Sequence, residues 1–328
     1  MHILITGAAG MIGRKLTARL VHDGALNGRA IDRMTLTDIA EPEQPAGAPF
    51  AVVTEASDVA TAGAAAQALA TRPDIIFHLA AIVSGEAEAD FEKGYQVNFA
   101  GTRELLEAVR LAGGDGYRPK LVFASSIAAF GAPFPLAIAD DFFLTPLTSY
   151  GTQKAIGELL LADYTRRGFL DGIGIRLPTI VVRPGKPNKA ASGFFSSIIR
   201  EPLNGQDAVL PVSEDVRHWF ASPRAAVGFL LHAAGLAADR LGPRINLTMP
   251  GLCCTVGEEI AALARVAGVD VARRIRREPD AAIARIVAGW PQNFDARRAT
   301  ALGFRAETSF DVIIRAHVED VLGGRIGE

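Results

Sequence analysis

Tyr150 and Lys154 stand four residues apart in Tyr150-Gly151-Thr152-Gln153-Lys154, at the start of a helical pattern. Spacing of i and i+4 sets a phenol and an ammonium on one helix face, within mutual reach. A tyrosine titrates near pH ~10, so a base working near neutrality needs a fall of roughly 2–3 units, or about 3–4 kcal/mol. One unit charge about 4 Å away, at an effective dielectric near 20, supplies about 4 kcal/mol. The pair therefore suits removal of a proton from a hydroxyl group. A further hydroxyl comes from Ala124-Ser125-Ser126-Ile127, at the end of a β-rich run. Strand alternation points neighbours to opposite faces, so one serine of the two faces a site. Ser126 is the one expected, holding a substrate oxygen in line with Tyr150, and Ser126, Tyr150 and Lys154 form the expected catalytic set. Taken alone, a Tyr/Lys pair is equally an ordinary pair on a helix. Context has to decide.

That context begins at the first strand, His2–Thr6, which runs directly into Gly7-Ala8-Ala9-Gly10-Met11-Ile12-Gly13. The first glycine permits backbone angles closed to other residues. The second lets main chain approach a pyrophosphate at a helix N-terminus, and the third allows close helix–strand packing. A glycine trio is weak evidence by itself, but its place between strand and helix points to a dinucleotide. Asp38 ends the second strand, where a carboxylate accepts hydrogen bonds from an adenosine ribose. The same charge repels the extra phosphate of NADP, and no arginine follows in Ile39-Ala40-Glu41-Pro42, so NAD is the expected cofactor. A cap on the following turn is the other reading of Asp38. His78-Leu79-Ala80-Ala81 closes the fourth strand; the small alanines leave room for ribose and pyrophosphate, whereas His78 reads as a packed, hydrogen-bonded side chain.

The elements that must position these residues alternate. Strands are expected at His2–Thr6 and at residues 34–37, 50–54, 74–79, 120–124 and 174–182, with helices over 11–22, 59–70, 91–112 and from 149 onward. This rhythm is the mark of an α/β fold with a Rossmann-type doubly wound parallel sheet, whose ligand lies beyond the carboxyl ends of the strands. After Arg183 the rhythm changes at Arg183-Pro184-Gly185-Lys186-Pro187-Asn188. The expected division is residues 1–183 for dinucleotide and catalytic groups and 184–328 mainly for a smaller C-terminal α/β substrate lobe, some of whose chain returns to the first domain.

Composition sets the bounds. With 328 residues, 49% hydrophobic and 21% charged, the chain suits a core of one large domain or a domain and a lobe. A net charge of −2 with scattered Lys and Arg argues against nucleic-acid and membrane partners. Arg273-Arg274-Ile275-Arg276-Arg277 reads as a solvated segment. The adjacent Cys253 and Cys254 offer neither a disulfide framework nor metal-ligand spacing, so no metal is expected. Apolar runs break before 18 residues, and cytoplasm is the expected location.

In order, the glycine turn, strand-ending acid, alanine pair, serine and Tyr-x-x-x-Lys resemble the extended short-chain dehydrogenase/reductase superfamily across about residues 1–185. Within it, Ala124-Ser125-Ser126-Ile127-Ala128-Ala129-Phe130-Gly131, the stretch from Leu177 through Arg183-Pro184-Gly185 to Lys189, and Ala190-Ala191-Ser192-Gly193-Phe194-Phe195 resemble the D-erythronate dehydrogenase group. The resemblance implies NAD-dependent oxidation of a small sugar acid at C2. It also implies cofactor contacts from Gly7, Gly10, Met11, Ile12, Gly13, Asp38, Asp58, Leu79, Ala80, Ala81, Asn98, Tyr150 and Lys154. For Asn98 two readings stand: support of the lysine through water, or satisfaction of helix backbone. A homodimer through the helices at 91–112 and 149–167 is implied by the same analogy.

Nucleotide-sugar epimerases are neighbours in that superfamily. They place Asn where this chain has Thr179 and Tyr where it has Phe130, so both positions count against a nucleotide-sugar 4-epimerase. Dehydratases carry acids where this chain has Ile127-Ala128. Dinucleotide-binding regulators lose the tyrosine or lysine retained here. An acid substrate needs a cation for its carboxylate, best a bidentate arginine. Arg183, Arg217, Lys186 and Lys189 are candidates, and Ser84, Ser126 and Thr179 complete the expected substrate-binding residues.

Overall fold

The computed structural model describes residues 1–185 and 192–327. The chain forms two compact units with interleaved segments. The first comprises Met1–Ala129, Pro146–Arg176 and Val227–Leu247. The second comprises Phe130–Thr145, Leu177–Ala226 and the chain from Thr248 onward.

Strands β1 (His2–Thr6), β2 (Arg33–Asp38), β3 (Ala51–Ala56), β4 (Ile75–His78), β5 (Lys120–Ser126), β6 (Asp171–Leu177) and β7 (Asn246–Thr248) form one sheet in the order β7-β6-β5-β4-β1-β2-β3. The recorded ladders β3/β2, β2/β1, β1/β4 and β4/β5 are parallel, as expected. Chain order reverses at β1: the next strand lies on one side of it and β4 on the other. That switch point opens a crevice at the carboxyl edge.

Register sets what faces what. One row runs Leu36, Ile5, Phe77, Val122, and the next runs Thr37, Thr6, His78, Phe123. The first row is at most 1% exposed. Near-continuous apolar strands are what a sheet covered on both faces requires. Helix α1 (Met11–Asp23) buries Leu16 and Leu20 against it and ends at Gly24, φ 64°, in the left-handed conformation that suits glycine.

Three boundaries differ from expectation. The helix near 59–70 starts only at Ala64, after a turn through Gly63 at φ 83°. The sixth strand ends at Leu177, because Pro178 has no N–H to continue the ladder; Thr179–Ile180 pairs instead with Arg217–Ala221. The long helix spans 91–111, but residues Tyr95–Gly101 are wound as a π-helix before α2 (Thr102–Leu111).

In the second unit, Arg217–Ala221 lies between Thr179–Ile180, in parallel, and Leu252–Thr255, antiparallel. Helices Gly193–Leu203, Val256–Ala267 and Phe310–Leu322 supply its core, which includes Phe195, Ile198, Phe220, Leu263, Ile313 and Ile314. The middle helix opens with a capping box between Thr255 and Glu258. Cys253 and Cys254 are free thiols. Among the described residues no helix is long and apolar enough to cross a membrane, and no metal-ligating cluster occurs.

Candidate active site

The turn after β1 is built for close approach. Gly7 sits at φ +77°, and a Cβ there would stand 2.6 Å from the Ala80 nitrogen; one on Gly13 would stand 2.3 Å from the Gly7 oxygen. The turn is held from β2, whose Thr37 carbonyl accepts the amides of Gly7 (2.8 Å) and Ala8 (3.1 Å). Gly10 starts α1 with no side-chain cap, so the first amides of the helix, at Met11, Ile12 and Gly13, face outward as an anion site would need. These residues fit a dinucleotide pyrophosphate.

Asp38 at the end of β2 takes up one of its expected roles in full view: its Oδ2 accepts the Ala9 amide (2.9 Å) and its Oδ1 the Ile39 amide (2.7 Å). Each oxygen keeps a second lone pair that a ribose hydroxyl can use. Asp58 caps its own turn through the Ala60 amide, 2.9 Å. Leu79 and Ala80 lie directly against the glycine turn, the Leu79 amide donating to Thr6 (3.0 Å). Ser84 opens the short helix Ser84–Ala89 just beyond Ala81.

His78 is buried, and burial pushes its pKa down to about 3, so the ring is neutral. The Thr102 hydroxyl donates to the Asn98 carbonyl (2.7 Å) and so accepts from His78 Nε2 (3.0 Å), leaving Nδ1 to accept from Thr6 (2.7 Å). Every polar atom of the ring is spent on packing. Asn98, inside the π-helical stretch, does something neither sequence reading anticipated. Its Oδ1 accepts the Ile82 amide (2.9 Å) while Nδ2 donates to the Ile82 carbonyl (3.2 Å) and to Gln153 Oε1 (2.8 Å). It ties the loop after β4 to the helix carrying Tyr150. A π-turn often marks a functional site, and here it aims the asparagine inward.

That helix, α3 (Ser149–Arg166), is capped by Thr148, whose hydroxyl accepts the Gly151 amide at 3.1 Å. It packs closely on the end of β5, with glycines at the tightest points. A Cβ on Gly151 would lie 2.2 Å from the Ala128 oxygen, and one on Gly157 would lie 2.7 Å from the Phe123 ring. Close packing brings Tyr150 and Lys154 beside the segment that carries Ser126. Lys154 is buried, its Nζ donates to the Ala124 carbonyl (2.8 Å), and it lies 5.6 Å from the centre of the Tyr150 ring. Burial lowers its pKa to about 8, and the charge of Glu158 opposes that fall. The Ser126 hydroxyl oxygen accepts the Ala128 amide at 3.1 Å. Ser125, by contrast, is turned into the interior, donating to Glu158 at 2.5 Å.

The sequence reading missed Gly151, Gly157, Gln153 and the buried set of Ser125, Glu158 and Arg176. The two glycines within the helical pattern of α3 were a usable signal of close packing; the partners of Glu158 were not, because they come from other strands.

The remaining candidates belong to the second unit. Thr179 is hydrogen-bonded to His218 Nε2 at 2.7 Å. Burial takes His218 to a pKa of about 4, and its ring stacks on Phe195 at 5.2 Å. Arg183 is committed to local structure, donating to the Ile180 carbonyl (3.1 Å) and the Ser192 hydroxyl (2.8 Å). The Arg217 side chain is 43% exposed and, among the described residues, is held by Glu258 at 4.0 Å and the Cys253 sulfur at 3.9 Å. It can take an anion without breaking a strong bond. Lys186 and Lys189 lie outside the described residues.

The chain is 49% identical over 98% of its length, and 98% of the relative's, to a protein of Cupriavidus necator named D-erythronate dehydrogenase. It is 42% identical to a protein of the same name from Haemophilus influenzae, covering 97% of this chain and 99% of that one. A crystal structure from Agrobacterium tumefaciens, described as a nucleoside-diphosphate-sugar epimerase, is 62% identical with a TM-score of 0.97, covering 99% of this chain and 95% of that chain. The description "NAD dependent epimerase/dehydratase family" matches residues 3–239. With its glycine turn, its Tyr-x-x-x-Lys helix and that match, the chain belongs to the NAD-dependent epimerase/dehydratase family.

Proposed function

We propose that this protein oxidises a four-carbon sugar acid, D-erythronate before others, at its C2 hydroxyl with NAD, giving the 2-oxo acid. The observation that supports the reading is the close packing of α3 on the end of β5, where Lys154 lies near the Tyr150 ring and donates to the carbonyl of Ala124, two residues before Ser126. The choice of substrate rests on the two relatives that bear that name over nearly their whole lengths.

Bound NAD supplies the hydride acceptor. The chain does the rest. Ser126 holds the substrate oxygen, and the Tyr150 phenolate takes the C2 hydroxyl proton, worth about 10²–10⁴ in rate for a positioned base. Lys154 stabilises that phenolate and reaches the nicotinamide ribose. The amides of α1 hold pyrophosphate, and Asp38 receives the adenosine ribose, so NAD is preferred to NADP. Among the second-unit candidates, Arg217 is assigned to the substrate carboxylate, with Thr179 as a hydroxyl partner; Arg183 instead holds local backbone. Ser84 is a further hydroxyl partner. Asp58 and Asn98 act on the cofactor side, Asn98 by fixing the loop after β4. We place a homodimer on the helices at 91–111 and 149–166, and the enzyme in the cytoplasm.

A nucleotide-sugar 4-epimerase is the second reading, favoured by the description of the Agrobacterium tumefaciens structure. Thr179 and Phe130, which stand where such epimerases carry Asn and Tyr, speak against it. The deciding experiment offers NAD with a panel of four-carbon aldonates and follows absorbance of the reduced cofactor. Turnover of D-erythronate supports the dehydrogenase. No turnover of any aldonate, together with interconversion of a nucleoside-diphosphate sugar, overturns it.

A further inference from the structure

Lys154 has a buried neighbour that no part of the proposed chemistry has yet used. Glu158 lies four residues on, on the same face of α3, and is 0% exposed. Its carboxylate is gripped from two strands. Arg176 of β6 donates from Nε to Oε1 (3.0 Å) and Oε2 (3.0 Å) and from Nη2 to Oε2 (2.8 Å), and Ser125 of β5 donates to Oε1 at 2.5 Å. Such a fork is the geometry of an ionised carboxylate. A buried ion pair is poor value for stability alone, since apolar residues of the same volume do as well or better. Its position is what sets it apart: three charges alternate in sign from Arg176 through Glu158 to Lys154, whose other titratable neighbours are Tyr150 on the same helix and neutral His78 on β4.

We propose that Glu158, fixed by Arg176 and Ser125, is a positioning residue of the reaction, the buried counter-charge that keeps Lys154 an ammonium beside Tyr150. This rests on the dehydrogenase reading for its catalytic consequence but not for the charge state itself. Burial already draws the Lys154 pKa down to about 8, and Glu158 is the group that opposes it. With the carboxylate removed, the ammonium would be lost at lower pH, and with it the field that makes the phenol acidic.

The test uses the whole protein. Lysine labelled with ¹³C at Cε, assigned through Lys154→Arg, is titrated by NMR in the parent and in Glu158→Gln, which keeps the shape, removes the charge and leaves one oxygen to accept. The Lys154 midpoint is expected to fall by about one pH unit or more, a tenfold change in proton affinity. An unmoved midpoint overturns the proposal. Glu158→Asp, which restores the charge, is expected to bring the midpoint back; a midpoint equal to that of Glu158→Gln overturns it too. In turnover, the alkaline limb of the kcat/KM profile is expected to shift down with the NMR midpoint, whereas a structural role alone would lower kcat at every pH and leave the limb in place. If no sugar acid is turned over by the parent, the dehydrogenase reading fails while the NMR titration still decides this one.

Discussion

Tyr150→Phe keeps the ring that packs near Lys154 and removes only the ionisable oxygen. Its kcat/KM on the sugar acid is expected to drop by about 10²–10⁴, while NAD affinity by calorimetry stays close to the parent's. Turnover at the parental rate would sink the base assignment. Glu259 supplies a contrasting case with no link to catalysis. Its carboxyl is fully buried in the second unit, neither oxygen has a hydrogen-bond partner among the described residues, and burial holds its pKa well above the ordinary 4.5. A raised acid stabilises the folded state below its unfolded value, and that stability is lost as pH climbs from about 4.5 toward the raised folded value. Glu259→Gln is therefore expected to raise the melting temperature at pH 8 and leave it nearly unchanged at pH 4, read by circular dichroism. At this scale the sequence was informative wherever geometry follows from a local pattern, as with the tight turn at Gly7 and the shared helix face of Tyr150 and Lys154. It turned Ser125 away from Ser126 by strand alternation but could not name its partner, Glu158, which lies 33 positions away.

At the scale of elements, the contact between α3 and β5 is the one that matters. Gly151→Ala puts a methyl where the Ala128 oxygen already stands, 2.2 Å from the ideal Cβ, so the helix start must shift. A displacement near 1 Å costs on the order of 10²-fold in a positioned reaction. The variant is expected to lose most of its kcat while keeping the far-UV spectrum of a folded protein; full activity would show that the close packing does not set the site. The same reasoning explains what strand and helix patterns conveyed. Alternation at short intervals located the six strands of the central sheet that precede residue 183, because each is apolar and bounded by turn residues. It did not reveal the π-helical turns at 95–101, since one residue added to a helical turn leaves the apolar periodicity almost unchanged. The true end of the sixth strand was legible in Pro178, yet the apolar run beyond it hid the break.

For the molecule as a whole, interleaving governs what can be removed. β7, at the far edge of the central sheet, comes from residues after 245, and a Cβ on Gly174 of β6 would stand 2.0 Å from the Asn246 side chain. A fragment ending at Arg183 lacks that strand and the helix Pro223–Gly235, and it is expected to aggregate or melt without cooperativity in calorimetry. Titration adds a second whole-molecule expectation. Burial holds His78 and His218 neutral, with pKa values of about 3 and about 4 against an ordinary 6.5. Their lowered values stabilise the fold above pH 6.5, and that contribution is lost as pH falls from there toward 4. Urea midpoints are expected to decline through this range, and more shallowly in His218→Gln.

The double bond count at Asp38 has a practical corollary for redesign. One carboxylate fastens the glycine-rich loop, through Ala9, and the strand end, through Ile39. Any attempt to retrain the enzyme toward a phosphorylated dinucleotide by deleting that acid would also unfasten the loop. Such a variant is expected to be less heat-stable even with no nucleotide present, and a compensating tether to Ala9 would have to accompany the change.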